Sequence, residues 1–175
     1  MKNSRGLIIF LVGLAFACAI AGPVNADDDT KKIHKQFMLE AVKEARKSLP
    51  EGVMPVGAVL AKEGNIIGRG HNRRIEKAPA IILAVMDCLE NAGKLTGEDH
   101  KKCVIYTTLS PCDICVDAIL SYKIPIVVIG ENETFKGPEE YLKSRGVQLI
   151  DLDMEECKDM MGDFVKKRSE TWDED

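Results

Sequence analysis

Cys112 and Cys115 stand three residues apart, directly after Ser110 and Pro111, in a segment that reads as the entry to a helix. At a helix N-terminus the free amides and the helix dipole favour thiolate over thiol. Such a pair serves two kinds of chemistry. It can give two sulfur ligands to a zinc ion, which then needs a third protein ligand and an open position. It can also cycle between dithiol and disulfide, because a strand leading into Cys-x-x-Cys at a helix start is the setting of thioredoxin-like redox sites. The plain alternative is two independently packed cysteines. Cys88, Cys103 and Cys157 are scattered, without the dense spacing of a disulfide scaffold.

The elements that must position this pair alternate along the chain. From Lys31 to Leu49 apolar residues recur at spacings of three and four, the mark of a helix with one buried face, and Pro50 stops it. Val53 to Lys62 and Ile66 to Gly70 read as a hairpin around Glu63-Gly64-Asn65. A polar link from Arg73 to Lys77 leads to a predicted helix over Ala80 to Ala92, ended by Gly93. Cys103 to Leu109 is a predicted strand, Pro111 to Tyr122 a helix and Pro125 to Gly130 a strand, which makes a parallel strand-helix-strand unit. Helix Glu139–Ser144, strand Val147–Asp151 and helix Met154–Lys167 complete the order. The pattern implies a three-layer α/β/α domain with a mixed sheet of about five strands.

Composition narrows the functional classes. The 24 Lys and Arg against 28 Asp and Glu give a net charge of −4, so no cationic field gathers phosphate backbones and a nucleic-acid partner is not expected. Lys2 and Arg5 precede an apolar run from Leu7 to Ala21, and Val24-Asn25-Ala26 supplies small residues for a peptidase. Residues 1–26 therefore read as a signal peptide and 27–175 as one domain, secreted or periplasmic, with no stable membrane domain after cleavage. The alternative is a membrane anchor through an uncleaved leader or Cys18. Export would put the Cys112–Cys115 pair at risk of becoming a disulfide, against the needs of a zinc site.

Thr107 to Cys115, Gly68-Arg69-Gly70-His71-Asn72 and Met86 to Gly93 together resemble the cytidine-deaminase superfamily, most of all its yeast-type cytosine deaminases. The likeness continues through Ile124-Pro125, Gly130-Glu131-Asn132, Phe135-Lys136 and Tyr141-Leu142 to Trp172-Asp173-Glu174-Asp175. It implies a zinc held by two cysteines and a histidine, a metal-activated water, and a glutamate that shuttles protons. Cys112 and Cys115 carry the sulfur-ligand role. By the same resemblance Asn72 hydrogen-bonds a pyrimidine, Asp175 meets its amine edge, Ser110 offers backbone contacts, and Phe135, Trp172 and Val56 enclose the ring. Family members pair through helices, which makes a homodimer the expectation.

The family's His-x-Glu falls on Leu83-Ala84-Val85. Leu83 has no lone pair for zinc, and Val85 cannot move a proton, which alone removes roughly 10²–10⁴ in rate. The histidines are His34, His71 and His100, and none has an acid two residues later. Zinc binding is therefore expected to be weak or absent and catalysis dead or severely impaired, with a pocket for a pyrimidine such as cytosine retained. A working zinc-dependent deaminase converting cytosine to uracil and ammonia is the second reading, and a Cys-x-x-Cys thiol-disulfide oxidoreductase the third.

Overall fold

Alternate residues of three neighbouring strands face opposite sides of one sheet, as the two-residue period of a strand requires. In the computed structural model, which describes residues 26–74 and 81–168, Ala58, Leu60, Ile105, Val127 and Ile129 enter one buried cluster. Their neighbours Val59, Ala61, Tyr106 and Val128 enter another on the opposite face. Both faces are covered by helices, which is why the strands read as nearly continuous apolar runs.

The strands are β1 (Gly57–Lys62), β2 (Asn65–His71), β5 (Cys103–Thr107), β6 (Ile126–Ile129) and β7 (Gln148–Asp151). They lie in the order β2-β1-β5-β6-β7, with β1 antiparallel to both β2 and β5, and β5, β6 and β7 mutually parallel. This is the expected mixed five-stranded sheet in an α/β/α domain. Helix α1 (Ala26–Ala45) covers one face with Met38, Ala41 and Val42, beside Cys157 of α6 (Glu155–Lys167). Helices α2 (Ala84–Asn91), α4 (Asp113–Tyr122) and α5 (Glu139–Ser144) cover the other.

Several boundaries differ from the sequence reading. A 3-10 helix over Arg46–Glu51 follows α1 and contains Pro50, which halts the α-helical pattern without ending helical backbone. The helix expected from Ala80 begins only at Ala84, because Leu83 is extended (φ −76°, ψ 144°) and Ile81–Ile82 forms a short strand, β4, against Arg73–Arg74, β3. Two consecutive β-branched residues favour that extended start. Likewise α4 starts at Asp113 rather than Pro111, with Cys112 as its N-cap, and a short helix, α3 (Gly97–His100), was not foreseen. The leader with Cys18, the Ile75–Ala80 stretch, and Trp172 and Asp175 lie outside the described residues. Among the described residues no helix is long and apolar enough to cross a membrane.

Close packing of α2 on β2 sets the position of one site wall. A methyl group on Gly70 would overlap the Cys88 amide and the Ala84 carbonyl, and one on Gly68 would overlap the Cys88 carbonyl. Glycine at both places brings the helix backbone directly onto the strand.

Candidate functional site

The start of α4 follows from the chain direction at the end of β5. Thr107 leaves the sheet, Leu109-Ser110-Pro111 turns, and Cys112 enters an extended conformation (φ −72°, ψ 174°) that caps the helix. Its Sγ lies 3.6 Å from Cys115 Sγ, which is 5% exposed, whereas Cys112 is half-buried. The hydrogen bond with Cys115, helped by the amides of Cys115 and Ile114, holds the Cys112 thiol down at about 6. The same contact together with burial pushes the Cys115 thiol up.

Facing this pair is the start of α2. Leu83 is its N-cap and provides no side-chain hydrogen bond. The missing cap comes from a distant strand end, because Asn72 Oδ1 accepts from the Ala84 amide at 2.8 Å. Val85, 2% exposed, packs with Cys115, Val116 and Ile119, and Leu83 lies against the same cluster.

The two helix starts bound a cavity of about 490 Å³, within the range of small-molecule sites. Asn72, Leu83, Val85, Ser110, Cys112 and Cys115 all line it. Val56 and Phe135 line it too, Phe135 from a loop that keeps the ring 39% exposed. Of the site residues inferred from resemblance, those within the described chain thus meet in one place. Ser110 has another duty as well: its hydroxyl donates to Glu139 Oε1 at 2.9 Å and accepts from the Gly137 amide, while its own amide donates to Glu131 O.

Other groups that build the wall carried no role in the sequence reading. Buried Glu139 joins Ser110 to Asn132, whose Nδ2 donates to the same oxygen at 3.0 Å. Glu131, fully buried, accepts from the Glu133 and Thr134 amides through Oε2 and so holds the loop that carries Phe135. Phe164 of α6 reaches the cavity from the opposite layer. A buried acid beside a tight turn is a usable sequence signal for such loop ties.

None of the three histidines lines the cavity. His34 bonds the Tyr106 hydroxyl at 2.9 Å, His71 lies between Glu44 and Asp87, and the His100 ring meets that of Tyr122 at a tilt of 49°. Asp87, one turn beyond Leu83, receives Arg73 Nε and the His71 amide and faces away from the sulfurs. Cys88 is buried, and burial pushes its thiol up to about 12. Among the described residues no three His, Cys, Asp or Glu side chains are grouped to hold a metal ion.

Comparison with known proteins agrees with this architecture. The model of the cytidine and deoxycytidylate deaminase zinc-binding region matches residues 31–131. A cytosine deaminase of Candida albicans is 44% identical over 142 residues, covering 81% of this chain and 95% of its own. A tRNA-specific adenosine deaminase of Streptococcus pyogenes is 41% identical over 105 residues, 59% of this chain and 66% of that protein. Among solved structures, the Thermotoga maritima diaminohydroxyphosphoribosylaminopyrimidine deaminase/5-amino-6-(5-phosphoribosylamino)uracil reductase superposes with a TM-score of 0.67 at 28% identity. That match covers 81% of this chain and 43% of the longer one. The chain belongs to the cytidine and deoxycytidylate deaminase family.

Proposed function

We propose that this chain is a cytosine-deaminase-like protein that has lost the hydrolytic step and keeps a pocket for a pyrimidine base. The observation that carries the reading is the chemistry of one helix start: hydrocarbon from Leu83 and Val85 faces the paired thiols where the family places a metal-binding imidazole and a proton-carrying carboxylate. The donor set does not fit a catalytic zinc, since two sulfurs leave the ion one protein ligand short and, among the described residues, no third His, Cys, Asp or Glu is grouped with them to hold it. No step is therefore routed through a metal.

Recognition of a base has support from groups already in place. Asn72 uses Oδ1 on the Ala84 amide, so the group it has left to offer a ligand is its Nδ2 amide, a donor suited to a ring carbonyl. Val56, Leu83 and Phe135 give the flat apolar walls that a heterocycle needs. Calorimetric titration of the purified chain with cytosine and with uracil tests this reading. Saturable binding of either base, with cytosine recovered unchanged, is the expected result. Release of ammonia would favour a working cytosine deaminase, the reading supported by the 44% identity to the Candida protein.

A further inference from the structure

Without a third ligand, the paired sulfurs keep a chemistry that a bound metal would suppress. Cys112 and Cys115 approach to 3.6 Å across the first turn of α4, and closing that gap to the roughly 2.05 Å of a disulfide asks for a movement of about 1.5 Å between the sulfurs. Both line the cavity but their exposures are unequal: Cys112 is half-buried and Cys115 is nearly covered. That is the asymmetry of an attacking thiol and a resolving thiol. The other described thiols do not compete, because Cys88, Cys103 and Cys157 are fully buried on separate elements and unpaired.

We infer that the cavity of this deaminase fold is a dithiol–disulfide site, in which Cys112 exchanges with a small disulfide entering the cavity and Cys115 resolves the product as an internal Cys112–Cys115 disulfide. The Cys112 sulfur, as thiolate, attacks one sulfur of R–S–S–R. A bond forms between them, the R–S–S–R bond breaks, and one RS⁻ leaves. Cys115 then passes its proton to that thiolate and its sulfur attacks Cys112 Sγ, which closes the internal disulfide and expels the second RS⁻. The protein gives up two electrons and the small disulfide receives them. Reduction by an excess of small thiol runs the same steps backwards.

The inference rests on the zinc-poor reading given above, since a thiolate bound to zinc is not free to attack. The full chain, reduced and freed of reductant, is equilibrated with oxidised and reduced glutathione, then quenched in acid, alkylated and analysed by intact mass and peptide mapping. Zinc is measured on the same sample. The expected result is loss of two hydrogens at Cys112 and Cys115, which escape alkylation together while Cys88, Cys103 and Cys157 remain thiols, with Cys18 read separately in the peptide map. Cys115→Ser should stop at one glutathionyl group on Cys112. Cys112→Ser should slow reaction at the site by at least about 10-fold. Leu83→His, loaded with zinc, should protect both sulfurs, with oxidation slowed at least about 10-fold. A zinc-free sample whose two thiols stay reduced throughout would overturn this inference alone. One zinc per chain with both thiols protected would overturn it together with the zinc-poor reading.

Discussion

The starts of α2 and α4 converge on one cavity and solve the same physical problem differently. Each leaves backbone amides without helical partners. At α4 no side chain caps the helix, and the first-turn amides of Ile114 and Cys115 instead lie toward the Cys112 sulfur and hold its thiol down. At α2 the local residue supplies nothing, and Asn72, twelve residues earlier, reaches across to the Ala84 amide. This division leaves the helix start independent of any polar side chain at positions 83 and 85. The cap of α2 comes from Asn72 and not from position 83, and Leu83 and Val85 add apolar area to the cluster around Cys115 and Ile119. A buried Val contributes about 1.5–3 kcal/mol, whereas a carboxylate there would need a partner to be tolerated.

The comparison is most severely tested by making the two helix starts alike in chemistry. Leu83→His together with Val85→Glu should raise zinc to about one per chain and produce cytosine-to-uracil turnover. Leu83→His alone should hold zinc with turnover lower by roughly 10²–10⁴, the contribution of a positioned proton carrier. A zinc-loaded double variant that stays inert would show that more than this pair has been lost. Metal analysis beside a spectrophotometric assay reads both quantities.

Packing changes should come next in size. Gly70→Ala forces a methyl group into the α2 backbone at Ala84 and Cys88, and should lower stability by about 1–3 kcal/mol in urea unfolding. Asn72→Ala leaves the buried Ala84 amide without its acceptor, and should cost about 1–3 kcal/mol and weaken base binding. An unchanged urea midpoint in Asn72→Ala would mean that α2 is not capped from β2.

The smallest effect separates the thiols themselves. Cys88 in α2 is raised by burial from 9.0 to about 12, whereas Cys112 faces the cavity. At neutral pH an alkylating reagent should modify Cys112 of the folded, reduced chain and spare Cys88. Because the folded state favours the neutral Cys88 thiol, its contribution to stability is whole below 9.0 and is lost as pH rises from there to about 12. Unfolding followed across that window should show a shallower fall in Cys88→Ala.

Much of this architecture was legible in the residues. The short, nearly continuous apolar runs at β1, β5 and β6 and the three-and-four spacing of α1 gave the layers, and Thr107 to Cys115 marked one site wall because strand, turn, proline and thiols are all local signals. The start of α2 was less legible. The run Ala80 to Met86 is apolar throughout and carries no period, so pairing of Ile81–Ile82 with Arg73–Arg74, a tertiary event, decides where helix begins. The same holds for Asn72 as a cap and for Glu139 as a tie to Ser110: they act on residues 12 and 29 positions away, outside any local pattern.

Zinc content and cytosine turnover, measured side by side on the purified wild-type chain, test the central claim most directly. Zinc far below one per chain and no uracil above the buffer rate is the expected result. One zinc per chain with steady uracil production would contradict it, and would mean that another group performs the work missing at Leu83 and Val85.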